Sequence, residues 1–343
     1  MAFYDRMFNG LGLRDWCGNA GADSSMSMAD LLAQANPSAE VNGPVFPFPS
    51  LDALNDACPA IPPSRDFVAS VETGFLAIKD GLKLVLDPLT QPLSWMLEFA
   101  LLAVESVPWW LMLPVLFVLV WYASRSKPVT IFVVLVFAFL GFVDHLDAAM
   151  QTLSIVLVCT GISILFGVPI GIAMAKSNGF QRAILPVLDL LQTLPTFVYL
   201  IPLIFLFSVT EPKLYGIAII VYAIVPVIRL TDLGIRLVDR DVLEAANAFG
   251  MSAPQKLWGV ELPLALPNIM AGVNQTIMMS LAMVVIASLV SAPGLGVLVL
   301  RGIRNLELGV GLVAGLGIVL LAVVLDRVSK AALARVSATH KHH

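Results

Sequence analysis

Between residues 106 and 325 the chain is a series of long apolar stretches separated by short polar breaks. Stretches free of Asp, Glu, Lys and Arg run over 106–124, 128–143, 148–175, 190–210, 214–228, 262–300 and 308–325. A helix that crosses a bilayer needs about 20 mainly apolar residues. The 262–300 stretch is too long for one crossing and contains Pro293-Gly294-Leu295-Gly296. It therefore predicts a helix over about 269–291 and then a re-entrant or surface segment. The pattern predicts an all-α polytopic membrane protein with about seven transmembrane helices across 106–330 and a short C-terminal tail over 331–343.

Upstream the period changes. Phe67, Val68, Val71, Phe75, Ile78, Leu82, Val85 and Leu86 recur at helical spacing, with Glu72, Lys79, Asp80 and Lys83 largely on other faces. Leu93, Met96, Leu97, Ala100, Leu101 and Val104 repeat the theme, interrupted by Glu98 and Glu105. Residues 65–105 thus predict amphipathic scaffold helices lying in the membrane interface rather than a span. Residues 1–64 are rich in Gly, Pro, Asn, Ser and Asp and predict a mostly disordered acidic tail.

Composition fixes the class and charge fixes the orientation. With 58% hydrophobic and 13% charged residues, and a mean hydropathy of +0.89, the chain is far from a soluble domain, where about a quarter of residues are charged. If the C-terminus is cytoplasmic, the inner segments hold twelve Lys and Arg from Arg125 to Lys341, and the outer loops hold only Lys213, Arg301 and Arg304. Positively charged loops stay inside. That orientation exports the N-terminal tail, in which thirteen acids face five bases over residues 1–105 and whose opening has no apolar signal core.

The same orientation puts residues 239–268, a polar island between two apolar runs, in the cytoplasm. Asp241, Val242, Glu244, Ala245, Ala246 and Ala248 predict a short helix with acid in its first turn, where the helix dipole favours it. Gly250 predicts its stop, Pro254 the first turn of a second short helix, and Pro263 and Pro267 the end of that helix. Small Ala245 and Ala246 let another surface approach closely. Two readings fit the island: a docking elbow for a partner protein, or an amphipathic connector lying on the bilayer.

Few residues carry chemistry. Cys17, Cys58 and Cys159 make no metal-ligand pattern; Cys159 sits in an apolar helix, and Cys17 could pair with Cys58 in an exported tail. His340, His342 and His343 form a terminal tract. No Gly-x-x-x-x-Gly-Lys-Ser/Thr, Gly-x-Ser-x-Gly or His-Glu-x-x-His occurs, so a phosphate cradle, a serine nucleophile elbow and a zinc-protease helix are excluded. The acidic balance disfavours nucleic acid. Asp189, Arg229, Asp232 and Arg236 lie at the ends of spans and read as either functional intramembrane charges or helix-end pairs. Pro169, Pro195, Pro202 and Pro226 break spans three to five and free backbone carbonyls, which suits helices lining a route. Tyr199 and Tyr222 lie on two of these broken spans, where each could contact a passing cation or simply pack in the bundle.

The spacing Glu244-Ala245-Ala246, Gly250 and Leu262-Pro263 resembles the EAA signature of ABC importer permeases. Residues 239–326, with Asn274-Gln275-Thr276, Gly294-Leu295-Gly296 and Leu325-Asp326-Arg327, resemble the permease subunits of glycine betaine/proline betaine importers, and the likeness extends over roughly 65–330, including Gln192-Thr193-Leu194-Pro195. Val260 stands where the signature has isoleucine, and Pro293 precedes Gly294 where relatives tend to have another glycine. The resemblance implies a type I ABC importer permease-like bundle in the bacterial inner membrane. It also implies a second permease copy, two ATP-binding cassette subunits that hold ATP and Mg, and an extracytoplasmic solute-binding protein. Glu244, Ala245, Ala246 and Gly250 would couple to the ATPase, with Leu262 and Pro263 anchoring the return. Choline, carnitine or proline remain open as solutes. An ion-coupled secondary carrier or a non-transporting scaffold remains open as a function.

Overall fold

A computed structural model describes residues 7–13, 58 and 64–340. The expectations for most of the N-terminal tail, for Cys17 and for His342 and His343 fall outside these residues. The chain divides into two compact units, Met1–Asp80 and Gly81–His343. The first holds a helical turn at residues 7–10, with Phe8 buried, and Cys58, which is disulfide-bonded.

The rest of the described chain is helical. In order, the helices are α1 (Ser64–Ser106), α2 (Trp109–Ser124), α3 (Lys127–Phe142), α4 (Leu146–Lys176), α5 (Asn178–Thr193), α6 (Leu200–Leu206), α7 (Pro212–Arg236), α8 (Arg240–Ala248), α9 (Ala253–Lys256), α10 (Leu262–Ala287), α11 (Leu295–Arg304) and α12 (Leu308–His340). The two amphipathic stretches expected over 65–105 are one helix of 43 residues that runs through Pro88 and Pro92. Each proline removes one backbone donor, and the flanking turns hold the helix.

Among the described residues four helices are long and apolar enough to cross a membrane, at Leu146–Lys176, Pro212–Arg236, Ala253–Val290 and Leu308–Ala332, and the count rises to six when two bent pairs are each taken as one span. The second expected span, Lys127–Phe142, is not among them: it is a helix of 16 residues. At a rise of 1.5 Å per residue it covers about 24 Å, short of the roughly 30 Å hydrocarbon layer. The 190–210 stretch is one of the bent pairs: Asn178–Thr193 and Thr196–Leu206 meet at 109°. Leu194, just before Pro195, takes an extended conformation with ψ 134°, because a following proline disfavours the helical region.

At the centre of the bundle α7 is pressed between α4 and α10. A Cβ added at Gly171 of α4 would lie 2.7 Å from the Ile228 carbonyl and 2.6 Å from Thr231 Cβ, and one at Gly272 of α10 would lie 3.0 Å from Val227 Cα. Small residues there let backbones approach as closely as they do in packed membrane helices. A second core joins Val133, Phe137 and Leu140 of α3, Met150 and Leu153 of α4, Leu295 of α11, and Leu321 and Val324 of α12. The Pro293–Gly296 segment is fixed rather than loose. Gly294 has φ +116°, and the Leu295 N–H donates to Thr152 Oγ1 at 2.9 Å, while that hydroxyl donates to the Ala148 carbonyl. At the start of α7, Lys213 is 4% exposed; its ammonium pairs with Asp87 of α1 at 2.7 Å and Glu211 at 2.8 Å.

Candidate coupling elbow and translocation path

Residues 239–268 fold as helix, glycine turn and second helix. The Asp239 carboxylate accepts from the Asp241 N–H at 3.0 Å and caps α8. After Phe249 the chain reverses at Gly250, whose φ of +73° lies in the left-handed region that glycine occupies without steric cost. The Gly250 and Met251 N–H groups donate back to the carbonyls of Asn247 and Ala246 at 2.9 and 3.1 Å. The Gln255 side-chain carbonyl accepts from the Ser252 N–H at 2.8 Å to start α9, and Lys256 Nζ donates to Asn247 Oδ1 at 2.9 Å, tying the two short helices together.

The second helix does not stop at Pro263 as the spacing predicts. A π-helical turn over Leu257–Glu261 carries α9 directly into α10. Pro263 sits in the first turn of α10, where its missing N–H breaks no bond within that helix. Glu244, Ala245 and Gly250 are exposed, Ala246 is buried, and Leu262 and Pro263 are half-buried. Leu262 packs against Ile235, Ala265 and Ile269. Ala246 thus packs inward while Glu244 and Ala245 present the outer surface of α8.

Sequence reasoning missed three residues of this elbow, an exposed aromatic pair and a buried acid. Phe249 is 87% exposed and Trp258 72% exposed, large apolar faces on an otherwise polar projection. Their signal, aromatics flanking the glycine turn, was present but carries no weight until their exposure is known. Glu261 is the third: a buried carboxylate whose partner is Lys176, the last residue of α4.

The span-end charges pair with one another. Arg229 of α7 pairs with Asp189 of α5. The buried Asp232 accepts from Arg236 Nε at 2.8 Å and from Gln181 Nε2 at 2.7 Å. Arg236 also donates to Asn178 Oδ1 at 2.8 Å and to the Met174 carbonyl at 2.7 Å, so one guanidinium joins the ends of α4, α5 and α7. On the proposed path, Pro195 and Pro202 are exposed and bracket the 3₁₀ turn Thr196–Tyr199. Tyr199 is buried and Tyr222 half-buried, and their ring centroids lie 6.4 Å apart.

A multi-pass helical bundle that projects a polar elbow between two of its spans is built like a membrane permease. Residues 167–338 match the family described as binding-protein-dependent transport system inner membrane component, and the chain belongs to that family. It is 43% identical over 213 residues to the glycine betaine transport system permease protein OpuAB of Bacillus subtilis, covering 62% of this chain and 74% of that protein. To the glycine betaine/proline betaine transport system permease protein ProW of Escherichia coli it is 47% identical over 193 residues, 56% of this chain and 54% of the relative, so it spans about half of ProW. It is 41% identical over 227 residues to the glycine betaine/carnitine transport permease protein GbuB of Listeria monocytogenes, 65% of this chain and 80% of that one. The likeness read from the EAA-type spacing holds at the level of family.

Proposed function

We propose that this chain is the membrane-spanning subunit of an ATP-driven importer that moves glycine betaine or a related quaternary-ammonium osmolyte into the cell. The observation that carries the reading is the elbow over residues 239–268, with Phe249 and Trp258 exposed beside a bare glycine turn. Exposed aromatics on a polar projection favour a protein partner over water, and a short helix is a common element for filling a groove. The solute class is supported by the relatives, which are named for glycine betaine, proline betaine and carnitine.

The chain has no P-loop sequence, so ATP and Mg belong on a partner ATP-binding cassette subunit. The full importer has two copies of this chain, two such ATPase subunits and an extracytoplasmic solute-binding protein. The elbow is cytoplasmic, with the N-terminus outside and the C-terminus inside. Closure of the ATPase pair displaces α8 through Glu244, Ala245, Ala246 and Gly250, while Leu262 and Pro263 hold the return to the bundle. The bundle then switches from inward- to outward-open and accepts solute from the loaded binding protein.

The test is reconstitution into proteoliposomes with both partners. Glycine betaine uptake is expected only with ATP, the ATPase subunit and the binding protein together. Uptake by this chain alone, driven by an ion gradient, would replace the reading with a secondary carrier. Cysteines introduced at 240–265 are expected to resist impermeant thiol reagents on intact cells. Labelling there would leave the ATPase no access to the elbow.

A further inference from the structure

Three features meet at the pair Tyr199 and Tyr222, the first of which packing does not explain. The Tyr199 hydroxyl is buried and has no hydrogen-bond partner. A buried polar group without a partner costs about 1–3 kcal/mol, so proteins seldom leave one without a use. The ring of Tyr222 lies beside it, with centroids 6.4 Å apart and planes inclined at 56°. Finally, Pro226 lies in α7 four residues after Tyr222, and proline has no N–H to donate to the carbonyl at i−4.

Two aromatic faces and a backbone carbonyl released from its helix ladder are electron-rich, whereas the Tyr199 O–H is a donor seeking an acceptor. At this separation one cation can lie within about 6 Å of both centroids, the range in which ring faces attract an ammonium. A trimethylammonium group donates no conventional hydrogen bond and suits the ring faces. A carboxylate on the same molecule would take the hydroxyl. The two rings belong to different segments: Tyr199 ends the turn between Pro195 and Pro202 in the bent span, and Tyr222 lies in the packed α7. Movement of the bent span against α7 would therefore form or break the pair.

We propose that Tyr199 and Tyr222 form a transit site inside this chain for a zwitterion with a quaternary ammonium and a carboxylate. The ammonium lies on the two rings and the carboxylate accepts from the Tyr199 hydroxyl. The inference rests on the solute class proposed above.

The experiment uses the whole complex in proteoliposomes and reads glycine betaine transported per ATP hydrolysed. Tyr199→Phe, which keeps the ring and removes only the hydroxyl, is expected to lower that ratio about tenfold, the scale of one hydrogen bond to a charged group. Tyr222→Leu is expected to lower it severalfold and Tyr222→Phe to restore it to within about twofold, as ring-face attraction requires. An unchanged ratio in both Tyr199→Phe and Tyr222→Leu would overturn the site, as would a Tyr222→Phe defect equal to that of Tyr222→Leu. As a second measurement, Val198→Cys, next to Tyr199 and half-buried, leaves both rings in place and is treated with a trimethylammonium-bearing methanethiosulfonate, with the unsubstituted complex as background. Glycine betaine supplied under turnover is expected to slow modification severalfold, and absence of protection would count against the site. If the unsubstituted complex moves no glycine betaine, the solute class itself falls and the site falls with it; a transporting complex with insensitive tyrosines removes the site alone.

Discussion

Gly250 offers a test in which backbone strain and partner contact can be separated. Its φ is +73°, yet a Cβ built there meets no atom of this chain within 4 Å. Substitution therefore costs only conformational strain, unless another molecule occupies the space. For alanine that strain is roughly 1–2 kcal/mol, and less for asparagine or aspartate, whose side chains tolerate the left-handed region. Strain of that size in an exposed turn leaves the bundle folded. If strain were the whole effect, Gly250→Asn would keep near-normal function and Gly250→Ala would lose about thirtyfold at most, the equivalent of roughly 2 kcal/mol. If the ATPase subunit lies against the turn, Gly250→Asn and Gly250→Asp fail as badly as Gly250→Ala, because each fills the same gap. We expect the second pattern: all three variants insert normally, the ATPase no longer co-purifies, and ATP-driven uptake is lost. Normal co-purification and uptake in Gly250→Asn would show that no partner packs on this turn.

Three further outcomes follow from the packing. Gly171→Ala forces a methyl to within 2.7 Å of the Ile228 carbonyl and is expected to destabilise by about 1–3 kcal/mol or more; Gly161→Ala, with nothing within 4 Å, is expected to be neutral or to gain up to about 1 kcal/mol, both read by thermal unfolding in detergent. Lys213→Met leaves Asp87 and Glu211 without their counter-charge. Because both carboxylates are about a third exposed, the loss is expected to be on the order of 2 kcal/mol rather than the full cost of breaking a buried pair, and removing the two carboxylates as well is expected to recover much of it. Thr152→Val leaves the buried Leu295 N–H without its acceptor; a loss of about 1–3 kcal/mol is expected, with faster proteolysis at 291–296 as a local readout.

What the sequence revealed depended on how local each cause was. The apolar stretches and the Gly250 turn were legible because hydrophobic period and glycine's conformational range act within a few residues. The elbow's continuation into α10 was not, since Pro263 signals a break as readily as a first helical turn, and only the π turn before it decides between them. The pairing of Asp189 with Arg229 and of Gln181 with Asp232 joins residues 40 and 51 positions apart, a separation over which spacing carries no signal. Tyr199 and Tyr222 were legible as aromatics on broken spans; their approach depends on the 109° bend that Pro195 introduces.

From Ala253 to Val290 the chain forms one continuous helical stretch of 38 residues, so the second arm of the elbow and the span beyond it form a single rod about 57 Å long at the helical rise. In the proposed cycle, a sideways nudge at Trp258 would reappear at the opposite tip as a displacement of reversed sense if the rod pivots at the close approach of Gly272 to Val227. Two joints interrupt that rod near its base, the π turn over Leu257–Glu261 and Pro267 inside α10, which lacks the N–H for its i−4 carbonyl; in the proposed cycle, stiffening or loosening them would set how much of each stroke is delivered.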